Sequence, residues 1–190
     1  MGVAVGLPLL LLLIGRGATA WLGLAAKPVL AQGNPVATFL MALVIALVAN
    51  PWEEVGWRGF ALPRLQARYN AFFASLVVGG MWAVWHLPLF FWPDNPMSET
   101  PFWRFALGTL ASACLYTWLY NSANGSLFIV ALHHVAWNTF GAVIGGVSGL
   151  AVTIVQWGMV LGLLAWFGAA NLASRPRVVA GAHSYRANSS

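Results

Sequence analysis

Long apolar runs separated by short polar breaks dominate the chain, and their lengths predict membrane-spanning helices. Met1 to Ile14 is apolar. Arg16 then interrupts, so a first span ends there or runs on to about Leu24 with Arg16 snorkelling or facing protein. Lys27 to Pro35, with Gly33, Asn34 and two prolines, reads as a connector. A second apolar run extends from Pro35 to Ala49. Asn50-Pro51 predicts a kink there, with helix resuming through Glu53, Arg58 and Leu62 to Gln66. After a turn at Arg68-Tyr69-Asn70, spans are expected over 71–91, 102–120, 127–144 and 150–167, with a polar loop from Pro93 to Pro101 carrying Asp94 and Glu99. This pattern is that of an all-α, polytopic transmembrane helix bundle of about six spans, with any active site inside it.

Composition agrees. Of 190 residues 60% are hydrophobic and 7% charged, with a mean hydropathy of +0.76, which suits a bilayer rather than water. One integral membrane domain is expected over residues 1–170, followed by a basic, mobile cytoplasmic tail over 171–190 with Arg175, Arg177 and Arg186. The formal charge of +5 does not call for nucleic acid, because the basic residues lie in short connectors and the tail. The positive-inside rule instead groups Arg58, Arg64, Arg68 and the tail on one side. Both termini then lie in the cytoplasm of a multi-pass cell-membrane protein. The single Cys114 excludes an intrachain disulfide and is expected to pack. The start makes a poor signal peptide and lacks the Ser or Thr of a myristoylation motif.

Within this apolar chain a few polar residues stand where hydrocarbon cannot solvate them. Glu53 and Glu54 are two of only four acidic residues, and such residues read as functional until a partner is found. Glu54 faces Arg58 one turn on, a ready ion pair, while Glu53 points about 100° away. If the second and third spans form an antiparallel hairpin, Glu53 lies 17 positions before Asn70 and His86 lies 17 after Tyr69. The two would face each other at equal depth. His134 and Asn138 share one face of the fifth span, as Trp82 and His86 do on the third.

These residues can form a hydrolytic set. Glu53 would act as general base on a water shared with His86. His134 and Asn138 would donate to a developing oxyanion, with Glu54 and Arg58 as support. Any one of these histidines alone reads equally well as a structural hydrogen-bonder. His133, off the His134 face, is assigned that structural role. There is no His-Glu-x-x-His zinc motif and no aspartate inside a span for an aspartyl dyad. Gly146-Val147-Ser148-Gly149 imitates a rhomboid serine motif, but only His183 of the tail follows it.

Glu53-Glu54-x-x-x-Arg58, Trp82-x-x-x-His86 and His134-x-x-x-Asn138 resemble, in order and spacing, the three motifs of the CAAX prenyl protease type II family. That family, also called CPBP intramembrane proteases, includes the Abi and bacteriocin-immunity proteins. The resemblance covers about Pro35 to Phe140 and extends to Trp85-His86-Leu87-Pro88 and Asn124-Gly125-Ser126-Leu127, as in the bacterial and archaeal branch. Trp82 stands where the family usually has Phe, a conservative aromatic change. Many members carry one or two further amino-terminal spans. The resemblance implies that Glu53 is the base, His86 its water-orienting partner, and His134 and Asn138 the oxyanion site, with Glu54 and Arg58 supporting. It implies either metal-free hydrolysis, which the doubled glutamate and Asn138 fit better, or a zinc ion on Glu53, His86 and His134.

The expected function is an intramembrane endopeptidase acting on a membrane-associated peptide or membrane protein, with the lipid bilayer as its medium and no nucleic-acid partner. The alternative is a non-proteolytic immunity or regulatory protein that binds a peptide or partner in the same cavity. A transporter with a Glu53–His86 proton relay lacks the internal repeat such folds carry.

Overall fold

The computed structural model of the protein describes residues 1–26, 34–93 and 95–181. Lys27, Asp94, His183 and Arg186 of the expected connector, loop and tail lie outside the described residues. Among the described residues every regular element is helical. The main helices are α1 (Gly2–Trp21), α2 (Pro35–Gln66), α3 (Ala71–Trp85), α4 (Phe102–Ser122), α5 (Leu127–Val143) and α6 (Gly149–Asn171). Of these, α1, α2 and α6 are long and apolar enough to cross a membrane by themselves. The protein is an all-α membrane helix bundle.

Local chemistry sets the helix starts. Asn34 accepts from the Val36 and Ala37 amides ahead of Pro35, whose missing N–H costs nothing in the first turn. Asn70 does the same for α3 through the Phe73 amide. α1 takes the longer of its two expected courses, with Arg16 exposed on its surface. In α6, Gly168 leaves helical geometry at φ +73°, directly after the last residue of the apolar pattern.

Past Asn50-Pro51 the helix reaches Gln66 as expected, staying α-helical through Glu54 and widening into a π-helical stretch over Val55–Ala61 before Leu62–Gln66 completes it. Two expectations are corrected. The third span does not continue to Phe91. α3 ends at Trp85, His86 caps it, and a 3-10 turn over Leu87–Phe90 follows, because Pro88 cannot continue an α-helix. Nor do α2 and α3 form a full hairpin. They meet chiefly through the π-helical stretch and Leu62–Gln66, while the main partner of α2 is α5.

The remaining packing is α3 on α4, α1 on α5 and α6, and α4 on α6. A Cβ on Gly79 would stand 3.0 Å from the Leu110 Cα, so the α3–α4 approach needs glycine there. Outward, α2 presents Val36, Leu40, Val44, Ile45, Leu47 and Val48, an apolar face that suits hydrocarbon rather than water.

The tail is also corrected as far as it is described, to Gly181. Leu172 and Ala173 are buried, and the chain then runs as a strap along the Gln66 end of α2. Gln66 donates to the Val178 carbonyl, Asn121 accepts from the Val178 amide, and Arg177 donates to the Gln66 carbonyl. Buried amides of Gln66 and Asn121, paired with each other, thus satisfy backbone groups that a free tail would leave to water. Composition alone carried no sign of these partners. Replacing Asn121 with Ala orphans several of these groups at once. We expect a loss of about 1–3 kcal/mol, read as a lower melting temperature in detergent, with faster amide exchange confined first to residues 172–180.

Candidate active site

A buried polar contact joins α2 to α5. Glu54 and Arg58 are both fully buried, and Arg58 Nη1 lies 3.2 Å from each Glu54 carboxylate oxygen. Glu54 Oε1 also accepts from His134 Nδ1 at 2.8 Å. The guanidinium is sandwiched between aromatic faces, 4.7 Å from the Trp82 ring and 4.4 Å from the Tyr116 ring. Among the described residues Arg58 Nε and Nη2 have no hydrogen-bond partner, so π-clouds take the place of oxygen acceptors around the rest of the cation.

Glu53, one residue earlier, points elsewhere as helical geometry requires. It is half-buried, and its Oε2 accepts from the Trp82 indole N–H at 2.8 Å. His86, also half-buried, puts its Nδ1 2.9 Å from the Trp82 carbonyl. That carbonyl belongs to the last turn of α3, where it also accepts a longer bond from the His86 amide at 3.4 Å. A carbonyl only accepts, so Nδ1 carries the proton and the neutral ring keeps Nε2 as its free acceptor. Rings of Trp85 and Phe105 flank the imidazole at 4.9 and 5.1 Å. Asn138 is exposed, and its Nδ2 donates to Asn50 Oδ1 at 3.2 Å. One N–H of that amide remains available.

Every expected residue is therefore placed, though not all as the spacing suggested. Glu53 and His86 share no direct hydrogen bond among the described residues; both are tied to Trp82, Glu53 meeting α3 one turn nearer the Tyr69–Asn70 turn. The π-helical stretch is the reason, since its wide turns advance less per residue and draw Glu53 towards the turn. His134 reaches the region from α5, but its Nδ1 serves Glu54 rather than Asn138. The family described as type II CAAX prenyl endopeptidase, Rce1-like, matches residues 35–140, a stretch that holds all of these side chains. The chain belongs to this Rce1-like family. It is 33% identical over 102 residues to a CAAX prenyl protease 2 of Methanococcus maripaludis. The alignment covers 50% of this chain and 38% of that relative, so the chain spans well under half of the relative's length.

Beyond the Rce1-like motifs, sequence reasoning missed three contributors. Asn50 was read only as part of a kink, although a polar residue one turn before Glu54 in an apolar run is itself a signal. Tyr116, buried in α4 against Arg58, His133 and His134, carried no signal at all. Trp82 was read as a conservative aromatic change, yet Phe has no donor to offer Glu53. His133 holds its expected structural place. Pro8 has no N–H to donate to the Ala4 carbonyl in α1, and His133 Nδ1 supplies that bond at 3.1 Å. Ser148 only starts α6, its amide on Thr19 Oγ1, and Cys114 is buried and free.

Among the described residues no three His, Cys, Asp or Glu side chains are grouped to hold a metal ion. The set Glu53, His86 and His134 implied for zinc is thus not gathered as folded; the atoms that would hold the ion are Glu53 Oε1 and the Nε2 atoms of His86 and His134, since Trp82 holds Glu53 Oε2 and Glu54 holds His134 Nδ1.

A buried ion pair costs most when one partner is removed. Arg58→Ala should destabilise the protein by about 3–5 kcal/mol, and Glu54→Gln in the same background should restore part of that loss. Thermal melts of both single mutants and the double mutant, closed as a cycle, check this.

Proposed function

We propose that the protein is an intramembrane endopeptidase that hydrolyses a peptide bond of a membrane-associated substrate without a metal. The observation that carries this reading is the division of the polar residues. Glu54 and Arg58 are sealed, whereas Glu53, His86 and Asn138, at half-buried or exposed positions, keep polar atoms that no other described residue engages.

Glu53 Oε1 is free to take a proton from a water that also hydrogen-bonds to His86 Nε2. The resulting hydroxide attacks the peptide carbonyl carbon. The remaining Asn138 N–H donates to the oxyanion, joined by His134 when its ring carries both protons, since its Nδ1–H is committed to Glu54. Collapse expels the amine, which takes the proton back from Glu53. The relative's name, CAAX prenyl protease 2, supports testing carboxy-terminal prenylated CAAX peptides among the substrates.

Glu53→Gln should lower kcat by about 10²–10⁴-fold and His134→Ala or Asn138→Ala by about 10²–10³-fold, with folding retained for Glu53→Gln. A panel of quenched peptides, prenylated and not, checks this with purified protein. Undiminished cleavage by Glu53→Gln sinks the mechanism. Chelator should leave the rate unchanged, and a loss reversed by zinc would overturn the metal-free part.

The carboxy terminus is proposed to face the cytoplasm. Arg177 docks on the Gln66 carbonyl, which supports placing the tail arginines at the same end as Arg64 and Arg68. Arg58 no longer counts toward this bias, because it is buried in the site. A carboxy-terminal GFP fusion should fluoresce and an alkaline phosphatase fusion should stay inactive; the reverse pair overturns the orientation.

A further inference from the structure

Trp82 touches more of the polar cluster than any residue that the hydrolytic scheme employs. Its indole donates to Glu53, its carbonyl accepts from His86, and its ring covers Arg58. The same ring meets His134 edge-on at 5.4 Å and Tyr116 at 5.7 Å. It is 7% exposed, so its N–H has no water to turn to.

An indole N–H is a donor only, and it has one direction. The terminal torsion of a glutamate is broad and two-fold. A half-buried Glu53 without a donor would therefore sample several carboxylate orientations. One fixed N–H on Oε2 pins the plane of the carboxylate and leaves Oε1 as the oxygen presented to the water. The π-helical stretch brings Glu53 opposite Trp82 rather than His86, so this bond takes the place of the direct Glu53–His86 contact that equal arms would have made.

We infer that Trp82 is a positioning residue, whose indole N–H orients the Glu53 carboxylate for attack while its carbonyl sets the His86 tautomer. The inference rests on the reading of Glu53 as general base. Its distinctive content is that the N–H, not the ring, does the orienting. Phe in the same place would fill part of the space and leave Glu53 unheld.

The test separates ring from donor. Replacing Trp82 with 3-benzothienylalanine keeps the bicyclic ring and exchanges the N–H for sulfur; Trp82→Phe is the genetically simpler companion. The expected result is a fall in kcat of about 10–100-fold with KM changed little and the melting temperature of the benzothienyl protein retained. Separately, the Trp82 indole ¹⁵N–¹H resonance, identified by its absence in Trp82→Phe, should move upfield in Glu53→Ala. That readout needs no substrate.

Wild-type kcat in the benzothienyl protein, alongside an inactive Glu53→Gln, overturns the inference and leaves the base assignment standing. An indole resonance indifferent to Glu53→Ala overturns it as well. Full cleavage by Glu53→Gln overturns the base assignment itself, whatever the resonance does.

Discussion

The contact on which the rest of this structure depends is the sealed ion pair of Glu54 and Arg58. Moving two charges out of water is costly, and the return interaction compensates only when the geometry is close and the remaining polar atoms are met. Here the carboxylate is met by Arg58 from its own helix and by His134 from α5. The cation is met by the carboxylate and by the faces of Trp82 and Tyr116. Four helices, α2 to α5, contribute to neutralising one pair. Because an unpaired charge there would be far costlier than a lost apolar contact, the pair fixes the relative placement of those helices more sharply than their greasy surfaces do.

The widened turns of α2 follow from the same constraint. A regular α-helix through Pro51 and Pro63 would lose two backbone bonds and keep Glu53 farther from the α2–α3 turn. The π-helical stretch absorbs the irregularity between them and sets Glu53 against Trp82. Glu53 thereby stays on the accessible side of the bundle while Glu54 is enclosed. One peptide unit separates an enclosed carboxylate from an accessible one.

At the turn end of α2, the strap of residues 172–180 closes over Gln66 and Asn121. It secures the segment that carries both glutamates at the end where Leu62–Gln66 packs on α3. The strap and the ion pair therefore both act on the carboxy-terminal half of the same helix.

Much of this was legible in the linear chain. The apolar runs set the helices to within a few residues, since a membrane admits little besides a helix along such runs. The spacing of Glu54 to Arg58 and of His134 to Asn138 sufficed to name the polar residues, because one helical turn needs no knowledge of the fold. What periodicity could not supply was the pairing between helices. Up to Ala49 both surfaces of α2 are apolar, and the polar residues beyond it name no partner helix, so nothing in the pattern said that α2 lies against α5 rather than α3. The one-turn offset of Glu53, the indole N–H that holds it, the Asn50–Asn138 bond and the docked strap all depend on that pairing. The sequence by itself determined which groups are too polar for the membrane to leave alone. Only the tertiary structure decided which of them neutralise each other and which stay accessible, because that depends on distances between segments far apart in the chain.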